Sequence, residues 1–524
     1  LNGRSAALAR PYHLALLGLY PILALIGHNI AEMRLDEAFR ALLLTAASLA
    51  GLYLLFRRLS RSPLRSALLV SFFSLLFFSY GHVYGYLELT LPALGRHRSL
   101  VPTYTLILAL GSYWIVRKAR DPAAITQLAN GVGLVLILFP LVQIGSYQLG
   151  RLQAEGPVSP VSFEQTQEHE ARPDIYLIIL DAYARADTLD SEFGFDNAPF
   201  LAEMEALGFY NAACAQSNYS KTKFSLASLL NMDYLVGLGG DALVGVGENV
   251  NNALVESLIQ DSQLRRSLES LGYRTVAFPT GFFWSEWTQA DHYLNQDPNA
   301  VSSVIYNTAL LGPYTPFEII LLETSAGLIY IDTYFTIARA QGADRGEAGQ
   351  KEYLDQLRKQ RAYNRVTNTL DWLDRMDSIA GPKFVFAHIV SPHSPYVIGE
   401  NGAFTPDTDL RPGYTNQISY LNSRLLPLVQ GIITEAEVPP IIIIQSDHGP
   451  PQSEGRPERV HILNLLYMPG FPEEQLYATL TPVNNFRLVL QHYFGADLDP
   501  LDDVSQLSDK RDFFKFTEIE AGCP

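Results

Sequence analysis

The first 150 positions are dominated by long apolar runs with almost no charge inside them: roughly 12–30 ("YHLALLGLYPILALIGHNI"), 38–56, 66–87, 100–116 and 130–149. Each approaches the ~20 residues with which a helix crosses the hydrocarbon core of a bilayer. Five such runs in succession do not suit the core of a water-soluble protein. The pattern predicts five transmembrane helices over residues 1–150.

The texture then changes twice. Residues 151–172 are polar, carry Gly and Pro and show no helical period, as a linker does. From residue 173 to 524, short continuous apolar runs alternate with amphipathic patterns. "DIYLIIL" (174–180), "YRTVAF" (273–278), "KFVFAHIV" (383–390), "PPIIIIQS" (439–446) and "HILNLLYM" (461–468) read as strands covered on both faces of a parallel sheet. Helical patterns lie between them at 198–208, 228–235, 254–272, 363–379, 418–433 and 483–495. This alternation predicts an α/β domain with a mostly parallel central sheet covered by helices. The stretch from about 281 to 350 is rich in aromatics and shows no clear period, so pattern assigns it no element.

The loops between the apolar runs carry an orientation signal. "RRLSRSPLR" (57–65) and "RKAR" (117–120) are strongly basic, whereas "AEMRLDEAF" (31–39) and "LELTLPALGRHRS" (87–99) are mixed. Basic loops stay in the cytoplasm. Five spans therefore put the N-terminus, with Arg4 and Arg10, in the cytoplasm and residues beyond ~150 outside the cytoplasmic membrane, periplasmic or extracellular. Charge divides the chain at the same place. Residues 1–150 hold 13 Lys/Arg against 5 Asp/Glu, and the remainder holds 25 against 49. So acidic an outer domain is a poor partner for nucleic acid, and must meet any anionic lipid or polymer through a local site. The two cysteines, Cys214 and Cys523, would be free to pair outside the cell, but one pair is not a disulfide framework, and the sequence leaves their pairing open.

In open α/β sheets, ligand sites form just beyond the carboxyl ends of the strands. Asp181 follows the first strand run, in "LDAYAR"; His388 and His393 belong to "FAHIVSPHSPY"; Asp447 and His448 end another run, in "SDHGP". Each has a duller reading. Asp181 alone could cap a helix, Asp447 and His448 could be hydrogen-bonded loop groups, and the two histidines could be satisfied in the core. Together they collect carboxylates and imidazoles along one sheet edge, the ligands that hard and borderline divalent metals take. A fourth stretch, "SNYSKTKFSLASLLNM" (217–232), offers five hydroxyls besides the tyrosine's, Ser217, Ser220, Thr222, Ser225 and Ser228, where a polar loop runs into a helical pattern.

"PDIYLIILDAYAR", "SNYSKTKFSLASLLNM", "FAHIVSPHSPY", "IIQSDHGP" and "HILNLLYMPG" occur in that order. Together they resemble the sulfatase-like branch of the alkaline phosphatase superfamily over roughly 173–495. Five spans followed by such a domain is similar to the arrangement of lipoteichoic acid synthases and lipid A phosphoethanolamine transferases. The resemblance implies an alkaline-phosphatase-like (sulfatase-like) fold and a divalent metal, one ion or two, of the manganese, zinc or magnesium kind. True sulfatases carry Cys-x-Pro-Ser-Arg at the nucleophile. Here the stretch is "TKFSL", in which Ser225 sets the register and Thr222 takes the nucleophile's place. With neither the Cys nor the Arg, aldehyde-dependent sulfate ester hydrolysis is not expected. By the same matching, Asp181, Asp447 and His448 would share a metal with Thr222, and His388, His393 and His461 would surround the donor phosphate or a second metal.

The physics of the stretch agrees with that register. A threonine hydroxyl needs a cation to become a nucleophile, and Thr222 stands where free helix N–H groups would face a phosphate. Lys221 and Lys223 flank it and could neutralise developing charge. The plain alternative is that Thr222 or Ser220 merely caps the helix. The expected reaction is transfer of a phospholipid head group, phosphoglycerol or phosphoethanolamine in type, through a phospho-threonine to an envelope glycan or lipid. The alternatives are a hydrolase of phosphate or sulfate esters, and a non-catalytic envelope assembly protein.

Overall fold

A computed structural model of the 524-residue chain describes residues 10–154, 159–163, 172–239, 248–295, 307–308, 312–340, 349–406, 409–520 and 522–523. The linker expected at 151–172 lies partly outside them. The chain forms two compact units, Leu1–Gln148 with Asn299–Leu354, and Leu149–Pro298 with Asp355–Pro524.

The first unit is helical. Its helices are α1 (His13–Asn29), α2 (Phe39–Ser60), α3 (Pro63–Thr90), α4 (His97–Tyr113) and α5 (Pro122–Ala154, which runs on into the second unit). Among the described residues, four helical stretches, Leu35–Ser60, Pro63–Thr90, His97–Lys118 and Pro122–Leu152, are long and apolar enough to cross a membrane; His13–Asn29 is apolar but shorter. They are held apart by sharp local signals. Arg61 adopts φ 56° after α2, and Ser62 caps α3 just before Pro63. Leu54, Leu75, Leu106 and Phe139 point away from the protein, as side chains facing lipid do.

The segment that pattern left unassigned divides between the units. Within 299–354, helices Pro316–Glu323 and Gly327–Ala340 belong to the helical unit. Thr315 and Glu318 form a reciprocal capping box at the first of these. Arg40 on α2 pairs with the buried Glu318, His97 on α4 pairs with Asp332, and Ala326 N–H donates to the Phe77 carbonyl at 2.7 Å. At 8 and 14 residues these helices are too short to have declared themselves as spans.

The second unit is built on a seven-stranded sheet of order β2-β7-β6-β1-β5-β3-β4. The strands are β1 (Ile175–Leu180), β2 (Tyr210–Asn211), β3 (Arg274–Ala277), β4 (His292–Tyr293), β5 (Lys383–Ile389), β6 (Ile441–Gln445) and β7 (Asn464–Tyr467). β1 lies at the centre, parallel to β5 and β6, while β7 and β2 add an antiparallel edge. The continuous apolar texture has a simple cause. Ile175, Leu177 and Ile179 enter one core with Phe384, Phe386, Ile441 and Ile443, and Tyr176, Ile178 and Leu180 enter the other with Val385, Ala387, Ile442 and Ile444. Pattern ran one helix through 254–272, but the chain breaks it into Glu248–Gln260 and Gln263–Ser270. Ser262 accepts from Arg265 N–H and starts a new helix there.

Cys214 and Cys523 form a disulfide. A hairpin, Ser505–Ser508 with Phe516–Ile519, lies against the 217–232 stretch: Gln506 N–H donates to the Asn218 carbonyl (3.0 Å) and Ser220 N–H to the Gln506 carbonyl (3.1 Å). Phe514 and Phe516 pack on Phe224, and Phe516 also on Tyr219.

Candidate active site

The parallel register of β1, β5 and β6 brings three chain segments to one edge. Asp181 leaves β1 with its N–H donating to the Ile389 carbonyl at 3.0 Å. Ala182 then takes φ 68°, a turn that L residues rarely make, and its N–H reaches Asp447 Oδ1 at 3.1 Å. His388 is paired in register with Ile179, and His393 N–H donates to the Asp181 carbonyl at 3.0 Å. Behind β6, Gly449 explains the end of "SDHG": a Cβ there would collide with the Glu458 carbonyl.

Five side chains converge as a result. Asp181, His393 and His448 present ligand atoms within 4.8 Å of one another, and so do Asp181, His388 and Asp447. His388 Nε2 is 3.4 Å from Asp181 Oδ2, and His448 Nε2 is 3.4 Å from Asp181 Oδ1 and 3.5 Å from Asp447 Oδ2. Nδ1 of His393 meets the Ser394 carbonyl and Nδ1 of His448 the Gly449 carbonyl, both at 2.8 Å, which leaves each Nε2 as the lone-pair side.

Asp181 Oδ1, Asp447 Oδ2 and both ring nitrogens of His388 are buried without a hydrogen-bond partner among the described residues. Burying such groups unsatisfied costs several kcal/mol, on the order of 1–3 each, so the cluster is built for something that completes it. Nitrogen and oxygen donors without sulfur fit a divalent ion such as zinc or manganese. Burial would raise the Asp181 carboxyl, but the imidazoles of His393, His388 and His448 hold it well below the usual carboxylate range. Burial, followed by the Arg459 charge, pushes His448 down, keeping it the neutral imidazole that a metal requires.

Thr222 is the first residue of helix Thr222–Asn231, and the residue at the cap position is Lys221, whose side chain caps nothing. Neither Thr222 nor Ser220 is therefore the N-cap. Ser220 Oγ accepts from Ser508 N–H (3.0 Å), Ser217 Oγ and Ser225 Oγ donate to the Tyr219 carbonyl (2.8 and 2.7 Å), and Ser228 Oγ donates to the Asp233 carbonyl (2.8 Å). Among the described residues nothing hydrogen-bonds the Thr222 hydroxyl. The loop before it is tied to the strand-end cluster by Arg459, which donates from Nε to the Ser220 carbonyl (3.1 Å) and from Nη1 to the Gly449 carbonyl (3.2 Å). Its Nη2 stands 3.1 Å from His448 Nε2.

The remaining expected residues are placed differently. Lys221 pairs with Glu454 at 2.5 Å and Lys223 with Glu256 at 3.4 Å, so each already faces a carboxylate. His461 lies outside both groups of converging ligands; its Nδ1 meets Thr188 Oγ1 at 3.0 Å, and burial, then Arg185, lowers its pKa. Sequence reasoning missed Arg459 and Glu454. The one available signal for Arg459 was a cation set against the apolar run "VHILNLL".

No protein-family model matches the chain, and no curated protein matches it. Several solved structures align with it. The integral membrane protein lipooligosaccharide phosphoethanolamine transferase A from Neisseria meningitidis aligns over 91% of this chain and 94% of its own, at 13% identity and TM-score 0.38. The C-terminal periplasmic domain of EcEptC from Escherichia coli, in complex with zinc, aligns over 69% of this chain and 96% of its own, at 12% identity and TM-score 0.39. A protein of the alkaline phosphatase superfamily from Vibrio parahaemolyticus aligns over 72% and 87%, at 12% identity and TM-score 0.38.

Proposed function

We propose that the protein is a membrane-anchored, metal-dependent phosphotransferase that moves a phospholipid head group, phosphoglycerol or phosphoethanolamine in type, through Thr222 to a cell-envelope glycan or lipid. One observation carries the reading. Of the five serine and threonine hydroxyls from Ser217 to Ser228, four are engaged in hydrogen bonds, and that of Thr222 has no partner among the described residues, beside the loop that Arg459 ties to His448. In the first step Thr222 Oγ1 forms a bond to phosphorus as the bond to the diacylglycerol oxygen breaks, and the hydroxyl proton leaves with that oxygen. In the second, an acceptor hydroxyl oxygen bonds to phosphorus as the bond to Thr222 Oγ1 breaks, and the acceptor's proton restores the Thr222 hydroxyl.

Asp181, His388, His393, Asp447 and His448, joined by Thr222, would hold the metal. When bound, a divalent ion lowers the pKa of a coordinated hydroxyl and offsets phosphate charge. The N-terminal end of helix Thr222–Asn231, with its positive dipole, would face the phosphate oxygens. Arg459 holds the Ser220 and Gly449 carbonyls together, which fixes the nucleophile's loop against the metal loop. On this reading the short apolar helix His13–Asn29 counts as a fifth span and the basic loops stay in the cytoplasm, so this unit would lie outside the cytoplasmic membrane with the lipid donor and the envelope acceptor.

The test is mass spectrometry of protein isolated from its own membranes. The 217–232 peptide should carry a head-group phosphate on Thr222, and Thr222→Ala should abolish both adduct and transfer. Full transfer by the Thr222→Ala protein with metal present would overturn the assignment.

A further inference from the structure

A cleft is lined by Thr280, Phe282, Arg365, Ser394 and by His388 of the strand-end cluster. Arg365 extends into it from helix Gly349–Leu373. Its guanidinium forms no hydrogen bond and no ion pair within 4.0 Å among the described residues. The carboxylate that acts on it most is Glu286, whose Oε1 is already accepting from the N–H groups of Thr280 (3.0 Å) and Gly281 (2.8 Å). Arg361 adds a second positive charge nearby, and burial pushes the Arg365 pKa down. The backbone makes room for this arrangement: Gly281 has φ +87°, and a Cβ there would lie 2.8 Å from Arg365 Cζ. At the shared wall, His388 is 2% exposed with both ring nitrogens unpartnered.

A half-buried guanidinium that forms no hydrogen bond among the described residues, on a cleft wall shared with an unsatisfied imidazole, calls for an anion. Arg offers donors in a fork that matches carboxylate and phosphate oxygens. We infer that this cleft is an oxyanion subsite in which Arg365 grips a phosphate or carboxylate on the second reactant, next to the group being transferred. That the oxyanion belongs to the acceptor rests on the transferase reading; that the cleft binds one does not. Specificity then has two parts. The strand-end cluster handles the phosphorus that reacts, and Arg365 selects acceptors that carry a negative charge close to the accepting oxygen.

The experiment uses the full chain in detergent after treatment with a chelator, so that no anion is held by metal and no turnover occurs. Inorganic phosphate and acetate are titrated separately by calorimetry. At least one of them should bind the wild type, about tenfold or more weaker in Arg365→Gln, with part of the affinity restored in Arg365→Lys. Matching thermal midpoints and circular dichroism show that each variant is folded. Whichever anion shows this dependence names the class of oxyanion. Binding of neither anion by the wild type, or equal binding by wild type and Arg365→Gln, would overturn the subsite. Because nothing turns over, the result is independent of whether Thr222 is the nucleophile.

Discussion

A carboxylate at the end of a strand buried on both faces must find positive charge, donors or a metal. Asp181 finds three imidazoles and an unsatisfied Oδ1. Asp447→Asn should therefore lower metal content sharply, because it removes a charged ligand and keeps the volume; metal analysis of the purified protein before and after reconstitution checks this. Arg459 touches no reacting atom in the proposed chemistry and works by position. Arg459→Met should cost about 10–100-fold in metal affinity or turnover, and Arg459→Lys should recover part of it. The contrast in legibility between these residues is physical. Asp181, Asp447 and His448 sit at strand ends, and strand ends follow from apolar runs. Arg459 acts on Ser220, 239 positions away, and Lys221 meets Glu454, 233 positions away. Contacts of that span leave no local period to read. The disulfide between Cys214 and Cys523, at a separation of 309, was hidden for the same reason.

At the scale of elements, the parallel strands were visible because both faces of the sheet are covered, which removes the polar alternation that a half-exposed strand would show. The helices Pro316–Glu323 and Gly327–Ala340 were not visible, since their partners lie on α2, α3 and α4 far upstream. Arg40→Met tests that docking. It leaves Glu318, 4% exposed, without its guanidinium, and should cost about 1–3 kcal/mol, read as a lower thermal midpoint of the detergent-solubilised protein. The hairpin 505–519 offers a second test. Ser508→Pro removes the N–H that Ser220 Oγ accepts. The amides of 217–222 should then exchange hydrogen faster, while those of the central strands keep their protection.

Over the whole molecule, charge and hydropathy change together near residue 150, and an apolar helical unit is followed by a strongly acidic α/β unit. If a divalent ion completes the buried cluster, removing it exposes several kcal/mol of unsatisfied polar groups, about 1–3 each. Chelation should then lower the thermal midpoint as well as the activity, and zinc or manganese should restore both. The disulfide and the hairpin add a requirement of a different kind. The loop that presents Thr222 is closed on one side by Gln506 and Ser508, up to 288 positions later in the chain. Synthesis runs from the N-terminus, so the spans, the sheet and every candidate metal ligand emerge before that closure can form. A chain made only that far would hold the candidate ligands with the Thr222 loop still open. Closure of the Thr222 loop thus waits for residues 506–508, long after the candidate ligands have emerged.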